Sequence, residues 1–195
     1  MHRPVDHYGP LTIGLHWLIA ALILVALVLG FVMTRPFIEP GLRFALFQWH
    51  KSFGMLALLL SVLRVLHSIW RVRMPPVPGM SLLEHRIARS VHLLLLALAL
   101  AVPLAGWLVA SASPLEIPTF VFDAVVIPHL PVSKSDAAEA WWTTVHAVAA
   151  YTLLGLVLAH SMAALHHHYR RRDAVLMRML GGRSLLKTGF REHRQ

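Results

Sequence analysis

Residues 141–165 read WWTTVHAVAAYTLLGLVLAHSMAAL, and this stretch decides the fold. It holds no Asp, Glu, Lys or Arg, and as a helix it is long enough to cross about 30 Å of hydrocarbon. Two residues in it are costly in such a setting, His146 and His160. They lie 14 positions apart, which is about 1400° of helical rotation, within roughly 40° of whole turns, and a rise of about 21 Å. The two imidazoles therefore share one face near opposite sides of a bilayer, too far apart for one planar ligand to touch both.

Working outward, three more apolar stretches of spanning length precede it, at about 15–34, 46–70 and 87–110. Segments rich in Pro and Gly separate them: Arg35-Pro36 to Pro40-Gly41, Met74 to Gly79, and a long loop from Ser111 to Ala140 with Pro114, Pro118, Pro128 and Pro131. The pattern predicts an all-α integral membrane four-helix bundle over residues 1–180, followed by a basic tail over 181–195. Of the 18 Lys and Arg residues, all but Arg35, Arg43, Lys51 and Lys134 fall beside the termini and the second connection. By the positive-inside rule both termini are expected to be cytoplasmic and the long loop to face outward. The six tryptophans fall near span ends, as an aromatic belt requires.

Composition bounds the chemistry. Apolar residues make up 57% of the 195 and charged residues 14%, where a soluble domain carries about 25% charge; the mean hydropathy is +0.63. The net charge of +9 sits beside apolar runs and not on a continuous basic face, so lipid and not nucleic acid is the expected partner. No small-residue cleavage pattern follows the first apolar run, so a cleaved signal peptide is not expected. Cysteine is absent, which excludes disulfides, thiolate-held iron–sulfur clusters and covalently attached c-type haem. Histidine is abundant, at 14 residues. Two non-covalent b haems, one at each depth, would give His146 and His160 their purpose.

Each haem needs a second axial ligand. His50 lies near the outer end of the second span, level with His146. At the inner depth two residues compete to join His160: His16 on the first span and His92 on the third. Three further spacings of 14 residues run in the same register, His50 to Arg64, His16 to Gly30 and His92 to Gly106. Arg64 would either pair with haem propionates or snorkel to the interface. The glycines would either admit a flat ring or let helices pack closely. His67 points off the ligand face, and His166, His167 and His168 mark the membrane exit. Bis-histidine ligation leaves no open iron site, which suits one-electron transfer.

In order along the chain, Leu15-His16-Trp17, His50-Lys51-Ser52-Phe53-Gly54, Val102-Pro103-Leu104-Ala105-Gly106-Trp107 and the His146/His160 pair resemble the bacterial cytochrome b561 family. The ending Ala163 to Tyr169, with Arg172-Asp173 and Met177 to Leu180, extends the resemblance over roughly Pro10 to Leu180. The resemblance implies a di-haem bundle of the bacterial inner membrane, related to the cytochrome b subunits of Ni/Fe hydrogenases and formate dehydrogenases. It implies His16, His50, His146 and His160 as the ligands, which decides for His16 over His92. It also implies a ubiquinone site near the cytoplasmic haem, where His167 matches a residue of the quinone end. In one type of member, superoxide is oxidised at the periplasmic face and the electrons pass to ubiquinone. For an anionic donor, Lys51 with Arg43 and Lys134 would supply positive potential, although the outer loops are not basic overall. The alternative is an accessory cytochrome that relays electrons between a partner dehydrogenase, hydrogenase or periplasmic cytochrome and the quinone pool. A histidine-lined transporter is disfavoured, because the spans hold no Asp or Glu.

Overall fold

Four long helices follow from the four apolar stretches: α1 (Pro10–Met33), α2 (Pro40–Ile69), α3 (Leu82–Ala112) and α4 (Asp136–His166). The computed structural model describes residues 8–70 and 81–181. His2, His7, His193, the connection around Met74 to Gly79 and nearly all of the expected tail lie outside the described residues. All four helices are long and apolar enough to cross a membrane. Each begins about five residues before its apolar stretch, because polar capping residues and prolines start helices without adding hydrophobicity. Pro10 and Pro40 occupy first-turn positions, where a missing N–H is no loss. Pro40 therefore starts α2 and does not break a helix there.

The caps are explicit. The Glu39 carboxylate accepts from the Gly41 and Leu42 amides at 2.9 and 3.0 Å, which holds its pKa below the usual carboxylate range. Ser81 and Glu84 form a reciprocal capping box at the start of α3. Ser135 accepts from the Ala138 amide at the start of α4.

The bundle is dry outside and narrow inside. Trp70 and Phe37 are 86% and 80% exposed, and many other large apolar side chains face outward, an exterior that only lipid covers without penalty. The buried positions are mostly small: Ser52, Ala57, Ser61, Ala99, Ala105, Ser111 and Ala112. Small residues let membrane helices approach closely where no hydrophobic force drives them together. Helix α1 packs chiefly on α2, and α3 on α4.

The outer loop is not structureless. It contains an antiparallel hairpin of β1 (Thr119–Val121) and β2 (Val125–Ile127), an addition to the all-α expectation. Its turn places Phe122 and Asp123 at positive φ (50° and 55°). This conformation is costly without glycine, and contacts on α2 hold it. Phe122 packs edge-on against Trp49 and Phe53, and its amide donates to Ser52 Oγ at 3.0 Å. Trp107 donates to the Pro128 carbonyl at 3.0 Å, so the loop is pinned to α3 as well. At the inner end, α4 passes into a π-helical turn, His167–Arg171, before a short α5 (Met177–Leu180).

Candidate functional site

A seven-residue register organises the interior. His16, Ile23 and Gly30 lie in one line on α1; His50, Ala57 and Arg64 on α2; His92, Ala99 and Gly106 on α3; His146, Leu153 and His160 on α4. Steps of seven keep each trio on one helix face and favour a left-handed bundle. The middle residues Ala57, Ala99 and Leu153 are 3%, 5% and 3% exposed. They lie buried between an outer and an inner group of polar side chains.

At the outer level the rings of His50 and His146 face each other, 5.9 Å apart and nearly perpendicular. Both are oriented the same way. His50 Nδ1 bonds the Ala26 carbonyl of α1 at 2.9 Å, and His146 Nδ1 bonds the Val102 carbonyl of α3 at 2.9 Å. With Nδ1 donating to a carbonyl, the lone pair of each neutral ring is on Nε2. Each ring rests on the glycine four residues beyond its acceptor. A Cβ on Gly30 would stand 3.1 Å from His50 Cε1, and one on Gly106 would stand 3.0 Å from His146 Cε1. The glycines make room for the imidazoles themselves.

At the inner level His16 and His160 are 6.3 Å apart with an interplanar angle of 75°. His92 stands edge-on to His160 at 5.2 Å. The Arg64 guanidinium reaches His16, with Nη1 3.0 Å from Nδ1, so Arg64 faces inward and does not snorkel away. A guanidinium has only donors, so His16 Nδ1 accepts in this arrangement. For His16 to ligate through Nε2, that acceptor role must be given up, which frees Arg64 for a bound anion.

These pairs fit b-type haem. Two imidazoles on opposite sides of one metal, each nitrogen about 2 Å from it, have ring centres roughly 6 Å apart. The His50–His146 and His16–His160 spacings match that distance, whereas His92 is closer to His160 than an interposed metal allows.

The outer cations are all committed to structure. The Lys51 ammonium, half-buried beside His50, donates to the Pro118 carbonyl at 3.2 Å. Arg43 Nη2 closes the first loop on the carbonyls of Arg35 and Ile38 at 3.2 and 3.1 Å. Carbonyl partners leave those charges uncancelled. Lys134, by contrast, pairs with Glu116 at 2.7 Å, and the lysine holds that carboxyl below its usual range.

At the inner end, His167 meets Asp173 at 2.5 Å. The carboxylate was not legible from sequence as a partner, because the contact crosses a π-helical turn that no spacing rule anticipates. His67 Nε2 contacts Thr12 Oγ1 at 3.2 Å, which ties α2 to α1. His168 packs on Tyr169.

The sequence matches the family described as prokaryotic cytochrome b561 over residues 7–182. It is 32% identical over 181 residues to "Cytochrome b561 homolog 2" of Escherichia coli K12, covering 90% of this chain and 92% of the relative. It is 27% identical over 182 residues to "Probable superoxide oxidase CybB" of Yersinia pestis, covering 92% and 97%. It is 27% identical over 183 residues to "Cytochrome b562" of Cereibacter sphaeroides, covering 89% and 94%.

Proposed function

From the premise that the chain belongs to the prokaryotic cytochrome b561 family, a group of transmembrane b-type cytochromes that transfer electrons, we propose that it oxidises superoxide at the outer membrane face and reduces ubiquinone at the inner face. Two haems in series, one in the His50–His146 pair and one in the His16–His160 pair, supply one-electron centres at the two depths. The observation that carries this reading is the pair of ring spacings, 5.9 and 6.3 Å, at two levels of the bundle.

The protein's own part is orientation and charge. The carbonyls of Ala26 and Val102 fix the outer imidazoles. Arg64 sets a positive charge beside the inner pair, and its contact with His16 supports a role in binding a propionate. Ala57, Ala99 and Leu153 are buried at the level between the two pairs. Lys51 and Arg43 keep their charges on the outer side and draw an anionic donor towards His50. The superoxide assignment draws on the name of the Yersinia pestis relative. Residues 1–180 form one transmembrane unit of the bacterial inner membrane, with both termini cytoplasmic by charge bias.

A relay reading, in which a partner protein feeds the outer pair, draws on one observation. Lys134 is the only Lys or Arg in residues 113–135, and Glu116 neutralises it. One experiment separates the two. A superoxide pulse on haem-loaded, quinone-supplied protein should reduce the haems at near diffusion-limited rates. Reduction that waits for a protein donor would replace superoxide oxidation with the relay.

A further inference from the structure

The two levels of the bundle are built on one register. His50 of α2 rests on Gly30 of α1, and its Nδ1 bonds the carbonyl of Ala26, four residues before that glycine. Fourteen residues further along α2 and fourteen back along α1 stand Arg64 and His16. These two also meet, with Arg64 Nη1 3.0 Å from His16 Nδ1. The other helix pair repeats the relation. His146 of α4 rests on Gly106 of α3, with its Nδ1 on the carbonyl of Val102. The same steps of fourteen lead to His160 and His92, whose rings stand 5.2 Å apart. Equal and opposite steps along antiparallel helices preserve contact depth. Arg64 therefore flanks His16 as Gly30 flanks His50, and His92 flanks His160 as Gly106 flanks His146.

A glycine offers an imidazole room and nothing else, whereas an arginine and a histidine offer N–H donors. Arg64 is half-buried. His92 is exposed, although it shares its face of α3 with Ala99, which is 5% exposed. Its ring stands edge-on to His160, and among the described residues neither of its nitrogens is hydrogen-bonded. A polar ring left open within a membrane span is costly and points to a ligand. Other donors near this depth are committed. The Trp17 indole donates to the Met179 carbonyl at 3.0 Å, and His67 contacts Thr12.

We propose that His92 is a haem-holding residue that, together with Arg64, binds the two carboxylates of the inner haem, an inference that rests on the two-haem reading above. A b haem carries both propionates on one edge, and Arg64 and His92 stand at one depth on the neighbouring helices α2 and α3. The guanidinium takes one carboxylate in bidentate fashion. The second charge is costly in a low-dielectric interior unless it has a donor of its own. The N–H of His92 is that donor. It acts in the neutral ring, so no proton is gained or lost when the haem binds. Gly30 and Gly106 supply no such donors at the outer level, so the clasp distinguishes the inner site from the outer one.

The test compares wild-type holoprotein with His92→Phe and His92→Gly, which remove the donor with and without its bulk, and with His92→Gln, which keeps an N–H. Three quantities are read: the propionate bending band in resonance Raman, the rate of haem transfer to excess apomyoglobin, and the two midpoint potentials. The first two variants should keep both low-spin haems and shift the propionate band of one. They should release that haem about tenfold faster or more, as the loss of one hydrogen bond to a charged group requires. Its midpoint potential should fall, because a carboxylate without its donor favours the ferric state. His92→Gln should recover most of each change. A propionate band that moves in neither donor-less variant overturns the proposal, even where release is faster, since His92 then acts by packing on His160. Loss of the low-spin spectrum in both also overturns it and makes His92 an axial ligand. A wild-type protein that holds fewer than two haems removes the two-haem reading itself.

Discussion

The imidazole of His146 lies flush on Gly106, where a Cβ would stand 3.0 Å from Cε1 and 3.2 Å from Nδ1. Gly106→Ala must therefore displace the ring and strain its bond to the Val102 carbonyl. Gly30→Ala does the same to His50, slightly more mildly. Overpacking of this kind costs about 1–3 kcal/mol. The expected result is protein that retains its inner haem and loses much of its outer one, read as haem per protein by pyridine haemochrome. Full occupancy in both alanine variants would reduce the glycines to helix-packing residues.

Two histidines flank His160, and their spacing separates their roles. His16 sits at 6.3 Å, a distance that an interposed metal fits, while His92 sits at 5.2 Å. Replacing His16 with Ala should abolish the inner haem's low-spin spectrum and its redox wave. His92→Ala should keep both, with at most a shifted potential. The reverse pattern would make His92 the ligand and His16 the neighbour.

The four spans were legible because hydrophobicity and the 3.6-residue period act locally. The pairing of His50 with His146 followed from depth alone. Geometry in the sequence left His16 and His92 level, because rotation about a helix axis is set by its neighbours and not by its own residues. The hairpin at 119–127 was hidden for a related reason. Its turn uses Phe122 and Asp123 in place of glycine, and only the α2 side chains Trp49, Ser52 and Phe53 make that conformation tolerable. The His167–Asp173 contact depends on a π-helical turn, which carries no sequence signal of its own.

The Glu116–Lys134 pair sets a pH and salt response on the outer side. Glu116 has a depressed pKa because of the lysine, so the contact is present above the ordinary carboxylate value. It is lost as pH falls through the lower, folded value. Glu116→Gln removes the negative partner at every pH and uncovers Lys134. If an anion is the donor, this variant should be reduced faster, with a steeper fall as ionic strength rises. An unchanged rate and unchanged salt slope would place the donor's approach away from this part of the loop.

Arg64 offers the most direct reading of the inner electrostatics. Its guanidinium reaches His16 from within the bundle, and a buried positive charge favours the reduced, less positive state of a nearby redox centre. A unit charge at roughly 8–10 Å in an effective dielectric of about 20 corresponds to a shift on the order of 50–100 mV. Arg64→Met should therefore lower one midpoint potential by about that amount. The other centre lies about 21 Å further along the bundle and should move less than half as far. Arg64→Lys should retain most of the potential but lose affinity for the haem, since an ammonium cannot bind a carboxylate in bidentate fashion. Spectroelectrochemical titration separates the two waves. Equal shifts in both would mean that Arg64 acts on the fold as a whole, and no shift in either would mean that its charge is already cancelled when haem is bound.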